Sequence, residues 1–336
     1  MVSDVAREFP DVTPLAAGAG DESCARISYT AEFAETMGYL RAVLRSGEKS
    51  PRVLRLTERV VEDNAANYTA WFLRRECLDA VRADLEDELE LVTRFAESSP
   101  KNYQIWYHRR AVVERLAAGA GADSAYLSRR ELSFLAGVLS EDAKNYHAWS
   151  YRQFVLQRFG TWSGELAFVE GLLEADLRNN SAWNQRWFVL QHTGGFGDAS
   201  VRARELAFAM DFCRRAPNNE SPFNYLRGLL RLACFREQAQ LRGFCESLLA
   251  ELRAQYGAEG HINAANPPPL LMLLVAVLAA TGDDAAASSL CDDLAVRFDT
   301  VRAKYWRYRA AQLRAPAAPA PAPAAPAAAA DVQSLD

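Results

Sequence analysis

Lys101-Asn102-Tyr103-Gln104-Ile105-Trp106 and Lys144-Asn145-Tyr146-His147-Ala148-Trp149 are two copies of one motif. Moving outward, the pattern recurs upstream as Asn67-Tyr68-Thr69-Ala70-Trp71 and downstream as Asn179-Asn180-Ser181-Ala182-Trp183. Each copy continues with an arginine three residues after its tryptophan: Arg74, Arg109, Arg152 and Arg186. The tryptophans stand 35, 43 and 34 residues apart, the range of helical-pair repeats. A degraded fifth copy, Asn219-Glu220-Ser221-Pro222-Phe223, has Phe in the Trp position and Leu226 in place of the Arg; Lys304-Tyr305-Trp306-Arg307-Tyr308 is a more distant echo.

Between motifs the apolar residues follow a helical period, as in Leu85, Leu89, Val92 and Phe95, then Leu132, Leu135, Val138 and Leu139, then Leu166, Val169, Leu172 and Leu173. No segment alternates as a strand would. Each repeat therefore reads as a helix with one apolar stripe, a polar turn ending at Asn, and a second helix carrying Trp and Arg. One such pair cannot bury its apolar face alone, so neighbours must stack. The fold class is all-α, a right-handed α–α superhelix of stacked helical hairpins.

The 43-residue spacing is lengthened by a Gly/Ala loop, residues 117–125. Residues 1–30 read as irregular, 31–313 as the repeat domain, and 314–336, almost only Ala and Pro at first, as a disordered tail that cannot form a core. The longest apolar run, 267–280, opens with three prolines and is too short to span a bilayer; it reads as a buried helix.

The chain has 336 residues, half of them hydrophobic, and a formal charge of −5. That balance disfavours a nucleic-acid partner, which calls for a basic stripe. Six scattered cysteines (Cys24, Cys77, Cys213, Cys234, Cys245, Cys291), no CxxC pair and no basic-then-apolar leader read as a reduced, cytoplasmic protein without membrane insertion. The four histidines have no HExxH spacing, no Cys/His set has zinc geometry, and there is no P-loop. A complete active site within this chain is not expected.

The motif Asn is expected to cap the following helix, and Trp71, Trp106, Trp149 and Trp183 to fill the gaps between helices. The arginines are expected to bond a neighbouring turn or carboxylate. What repetition leaves unexplained is the chemistry inside the turns: Lys101 and Lys144, each followed by Asn and Tyr, then Gln104 or His147. Turns of stacked hairpins fall along one edge, where ammonium groups, an imidazole and helix N-termini can converge on an anion. A solvated lysine in a turn is the commoner arrangement and explains the same residues.

The series 64–75, 100–110, 141–159, 178–190 and 218–230 resembles the prenyltransferase α-subunit repeats, and in particular the subunit shared by protein farnesyltransferase and geranylgeranyltransferase type I. The likeness runs from about Ala31 to residue 313. It implies a crescent of helical hairpins wrapped around a β subunit, with activity only as the heterodimer. It further implies transfer of farnesyl, or geranylgeranyl with another β subunit, from the isoprenoid diphosphate to a cysteine of CaaX-terminated proteins such as small GTPases. Zinc is implied to be held by the β subunit, and any magnesium to have its site outside this chain.

Residue by residue, the resemblance assigns Lys101 to the isoprenoid diphosphate and Gln104 to the C-terminal carboxylate of the CaaX substrate. Tyr68 and Tyr103 match tyrosines lining that cleft. Asn145, Tyr146, His147 and Trp149 match the next turn, facing the β subunit near the diphosphate. Arg109, with Arg152 and Trp183, is implied to be structural or interfacial. Pro222-Phe223 departs from the family's small residue and Trp. The alternatives are the α subunit of Rab geranylgeranyltransferase, which KNYQ and KNYH fit less well, and a non-catalytic TPR-like scaffold, whose consensus differs.

Overall fold

The computed structural model describes residues 3–16, 28–119, 121–257 and 262–315. The Ala/Pro tail from 316 onward, Cys24 and His261 lie outside the described residues. Contacts divide the chain into a first unit, residues 1–189, and a second, residues 190–336. Among the described residues every regular element is helical.

In the first unit a short helix α1 (Asp4–Glu8), capped by Ser3, interrupts the segment that the sequence presents as irregular. Its follower Phe9 is buried beside the Tyr39 ring of α2 (Ala31–Ser46), with the Arg52 guanidinium over its face. The hairpins follow: α3 (Pro51–Asp63) with α4 (Tyr68–Val81), α5 (Leu85–Ser98) with α6 (Tyr103–Ala118), α7 (Ser124–Glu141) with α8 (Tyr146–Phe159), and α9 (Glu165–Ala175) with α10 (Asn180–His192), which runs past the unit boundary.

Each first helix buries the stripe its period marks out. Val53, Leu56 and Val60 of α3 and Leu89 and Val92 of α5 share a core with Trp71, Ile105 and Val112. Leu135 and Leu139 of α7 join Trp106, Trp149 and Val155. The pairs end where sequence chemistry stops them: Pro51 occupies the first turn of α3, and Gly160 closes α8 in the left-handed region that an L side chain resists.

The second unit contains α11 (Ala199–Arg215) packed with α12 (Glu220–Leu230), then α13 (Phe235–Tyr256), α14 (Ile262–Ala265), α15 (Pro268–Ala280), α16 (Asp284–Asp293) and α17 (Ala303–Arg314). The apolar run becomes α15, buried over most of its surface. The atypical fifth motif packs as well as the others: Asn219 caps α12, Pro222 and Phe223 are buried, and Leu226 fills the arginine's place without exposure to solvent.

Candidate functional site at the hairpin turns

In the first unit each motif Asn accepts hydrogen bonds from the first-turn amides of its helix: Asn67 from Ala70, Asn102 from Gln104, Asn145 from His147 and Ala148, Asn179 from Ser181 and Ala182. The amide end of the same side chain does a second job that its spacing does not reveal. Asn145 donates to the Pro100 carbonyl of the preceding turn at 3.1 Å, and Asn179 donates to the Ala143 carbonyl at 3.1 Å. Those two carbonyls also accept the indole N–H of Trp106 (2.8 Å) and Trp149 (3.0 Å). The repeated geometry of motif, cap and indole thus locks the second, third and fourth turns side by side.

Beneath the turns lies a chain of enclosed ion pairs. Arg74 grips Glu88 through two bonds of 2.6 Å, Arg109 grips Glu131 at 2.7 and 2.8 Å, and Arg152 grips Glu165 at 2.7 and 2.7 Å. Every carboxylate belongs to the hairpin after the arginine's. The remaining guanidinium donor returns to the first helix of its own hairpin, at Leu54, Thr93 or Leu132. Each arginine therefore ties three helices, and the rings of Phe134 and Phe168 lie 3.8 Å beneath Arg109 and Arg152.

The same acids take a further bond from a side chain 20 residues on: His108 on Glu88 (2.6 Å), Tyr151 on Glu131 (2.8 Å), Gln185 on Glu165 (2.8 Å). In the second unit Tyr225 repeats the contact with Glu205 at 2.7 Å. Burial would raise the Glu88 carboxyl, but the His108 and Arg74 bonds outweigh it and hold it at about 2. Burial pushes the His108 imidazole down, so it stays neutral, and pushes the Tyr151 phenol well up. In the first hairpin the acid's place is taken by buried Val53, which shares its core with Leu73.

The exposed groups sit on top of this frame. Lys101 points into solvent with its ammonium 3.3 Å from Asp142, and Lys144 lies 3.0 Å from Asp176. Tyr68, Tyr103 and Tyr146, each the first residue of a second helix, are more than half exposed, and the Tyr146 ring meets half-buried His147 edge-on. Gln104 is half-buried in the first turn of α6, and its side-chain amide makes no hydrogen bond among the described residues. A depression of about 500 Å³ bounded by Ala66, Ser99, Pro100, Lys101, Asn102 and Tyr103 opens between the first and second turns.

The Asn side chains occupy the amides of Gln104 in α6 and of His147 and Ala148 in α8, and Lys101 and Lys144 bring full positive charge to the second and third turns. Tyr68, Lys101, Tyr103 and Gln104 stand on the first two turns, while Asn145, Tyr146 and His147 stand on the third. Trp149, Arg109, Arg152 and Trp183 are buried below the edge. Among the described residues no group of three or more His, Cys, Asp or Glu is placed to hold a metal ion.

Stacked helical hairpins with asparagine-capped turns define the class as an α–α repeat protein. The model of the protein prenyltransferase alpha subunit repeat matches residues 50–81, 85–116, 128–159, 162–193 and 202–233. The chain is 38% identical over 309 residues to the protein farnesyltransferase/geranylgeranyltransferase type-1 subunit alpha of Dictyostelium discoideum, covering 90% of this chain and 91% of that one. It is 37% identical over 245 residues to the subunit of the same name from Pisum sativum, 72% of each chain. A chain of Candida albicans protein geranylgeranyltransferase-I complexed with GGPP superposes with a TM-score of 0.78 at 27% identity, over 91% of this chain and 98% of that one. This chain belongs to the protein prenyltransferase α-subunit family.

Proposed function

We propose that the chain is the α subunit of a heterodimeric CaaX protein prenyltransferase, acting in the cytoplasm through its repeat domain, residues 31–313. The reaction joins a cysteine sulfur of the acceptor protein to C1 of a farnesyl or geranylgeranyl group; the C1–O bond breaks and pyrophosphate leaves. The observation that carries this reading is the likeness to the Dictyostelium subunit along nine-tenths of both chains.

Lys101 is assigned to the diphosphate, where an ammonium beside the departing oxygens stabilises charge that grows as the bond breaks. Its exposure and its single weak ion pair leave it free to change partners. Gln104, with an uncommitted amide, is assigned to the peptide carboxylate, and Tyr68 and Tyr103 to the wall of the peptide cleft. Asn145, Tyr146 and His147 are placed toward the β subunit near the diphosphate. Arg109, Arg152, Trp149 and Trp183 hold the turns in register. Zinc belongs in this reading to the β subunit.

The test is co-expression with a family β subunit, followed by zinc-dependent prenylation of a CaaX peptide. Activity that requires both chains supports the assignment. Failure to form any complex turns it toward a Rab-type enzyme or a scaffold.

A further inference from the structure

The turns hold two lysine–aspartate pairs of one design. Lys101 reaches from the second turn to Asp142 in the third, and Lys144 reaches from the third to Asp176 in the fourth. Each aspartate is fixed by its own turn: Asp142 Oδ1 accepts from the Lys144 amide at 3.1 Å, and Asp176 Oδ1 accepts from the Arg178 amide at 2.8 Å. That leaves Oδ2 of each to face the lysine.

The turn itself has no need of the charge. In the first turn Asn64 makes the same bond, to the Ala66 amide at 3.0 Å, with a neutral side-chain oxygen. Where the preceding turn offers no lysine, as Ala66 does not, the corresponding position is Ser99. A carboxylate stands only opposite a lysine. The Lys144 amide, and then Lys101, hold the Asp142 carboxyl below its ordinary range, so it is ionised at neutral pH.

We propose that Asp142 is a positioning residue for Lys101: a resident counter-ion that holds the ammonium over the turn edge and that an incoming diphosphate must displace. This rests on the assignment of Lys101 to the diphosphate. Binding is then an exchange of one anion for another at the same ammonium. A pair this exposed is worth little, so the competition is modest and readily reversed. The second pair, Lys144–Asp176, supplies an internal control with matching geometry.

The experiment measures farnesyl diphosphate binding to the α/β heterodimer for wild type, Asp142→Asn, Lys101→Ala and the double variant, with Asp176→Asn alongside. Asparagine keeps the turn bond, as Asn64 shows, so folding is preserved and only the charge is lost. The expected result is about two- to fivefold tighter binding by Asp142→Asn, shrinking at high salt, absent in the Lys101→Ala background, and not reproduced by Asp176→Asn. Unchanged affinity in Asp142→Asn while Lys101→Ala still weakens binding overturns the counter-ion role alone. A Lys101→Ala variant that binds and turns over normally overturns the diphosphate assignment and this inference with it.

Discussion

The carboxylate of Glu131 lies 2.7 Å from the Arg109 guanidinium with both side chains almost wholly enclosed, and the two belong to successive hairpins. The joint between repeats is therefore an ion pair as well as an apolar contact. Such a pair adds little over well-packed hydrophobic groups, but removing one member strands the other.

Arg109→Ala is expected to lower the unfolding free energy by about 3–5 kcal/mol, leaving Glu131 buried with only its Tyr151 bond. Replacing both partners, as Arg109→Met with Glu131→Leu, is expected to recover most of that loss. Urea denaturation of the single and double variants decides the matter; equal losses in both would show that packing alone, rather than a stranded charge, sets the cost.

Asn145 separates two roles that one residue performs. Asn145→Asp keeps the oxygen that caps α8 and loses the donor to the Pro100 carbonyl, whereas Asn145→Ala loses both. The alanine variant is expected to cost about 1–2 kcal/mol and the aspartate variant an intermediate amount. Melting temperatures that do not distinguish Asn145→Asp from wild type would remove the inter-turn bond from the account.

His108 makes stability depend on pH in a defined direction. Its folded pKa lies below the ordinary 6.5, so the unfolded chain binds the proton more readily and stability falls as pH drops below 6.5. Glu88, held at about 2 against 4.5, adds a second loss of roughly 3 kcal/mol as pH falls from 4.5 through 2. Gln185 already plays the histidine's part on Glu165. His108→Gln is accordingly expected to flatten the stability curve between pH 6.5 and 4.5 while keeping the Glu88 loss below 4.5, read from urea midpoints from pH 7 down to pH 2.

Lys101→Ala is expected to reduce turnover on the order of 100-fold with assembly of the heterodimer intact. Single-turnover kinetics beside size-exclusion chromatography of the complex provide the check, and an unchanged chemical step would remove Lys101 from the diphosphate.

The hairpins were legible because Asn, Trp and Arg recur at fixed offsets within one helix start, where capping and side-chain length tie sequence directly to geometry. Lys101, Tyr103 and Gln104 could be placed on a turn for the same reason. Glu88, Glu131 and Glu165 escaped notice because loops of unequal length stand between each arginine and its acid, so that distance is 14, 22 or 13 residues. A usable signal lay on the other side, in the constant 20 residues from each acid to His108, Tyr151 or Gln185. Its bearers differ so much in type that they share only the ability to donate a hydrogen bond. The lysine–aspartate pairs were hidden likewise, since Asp142 and Asp176 belong to turns a full repeat away from their partners.

The order of partners along the chain also matches the order in which it is made. Arg74, Arg109 and Arg152 each leave the ribosome before the acid that neutralises them. The second, third and fourth hairpins thus each bring a carboxylate to a base that synthesis has already delivered, an order in which these three charges can close one after another from the N-terminal side.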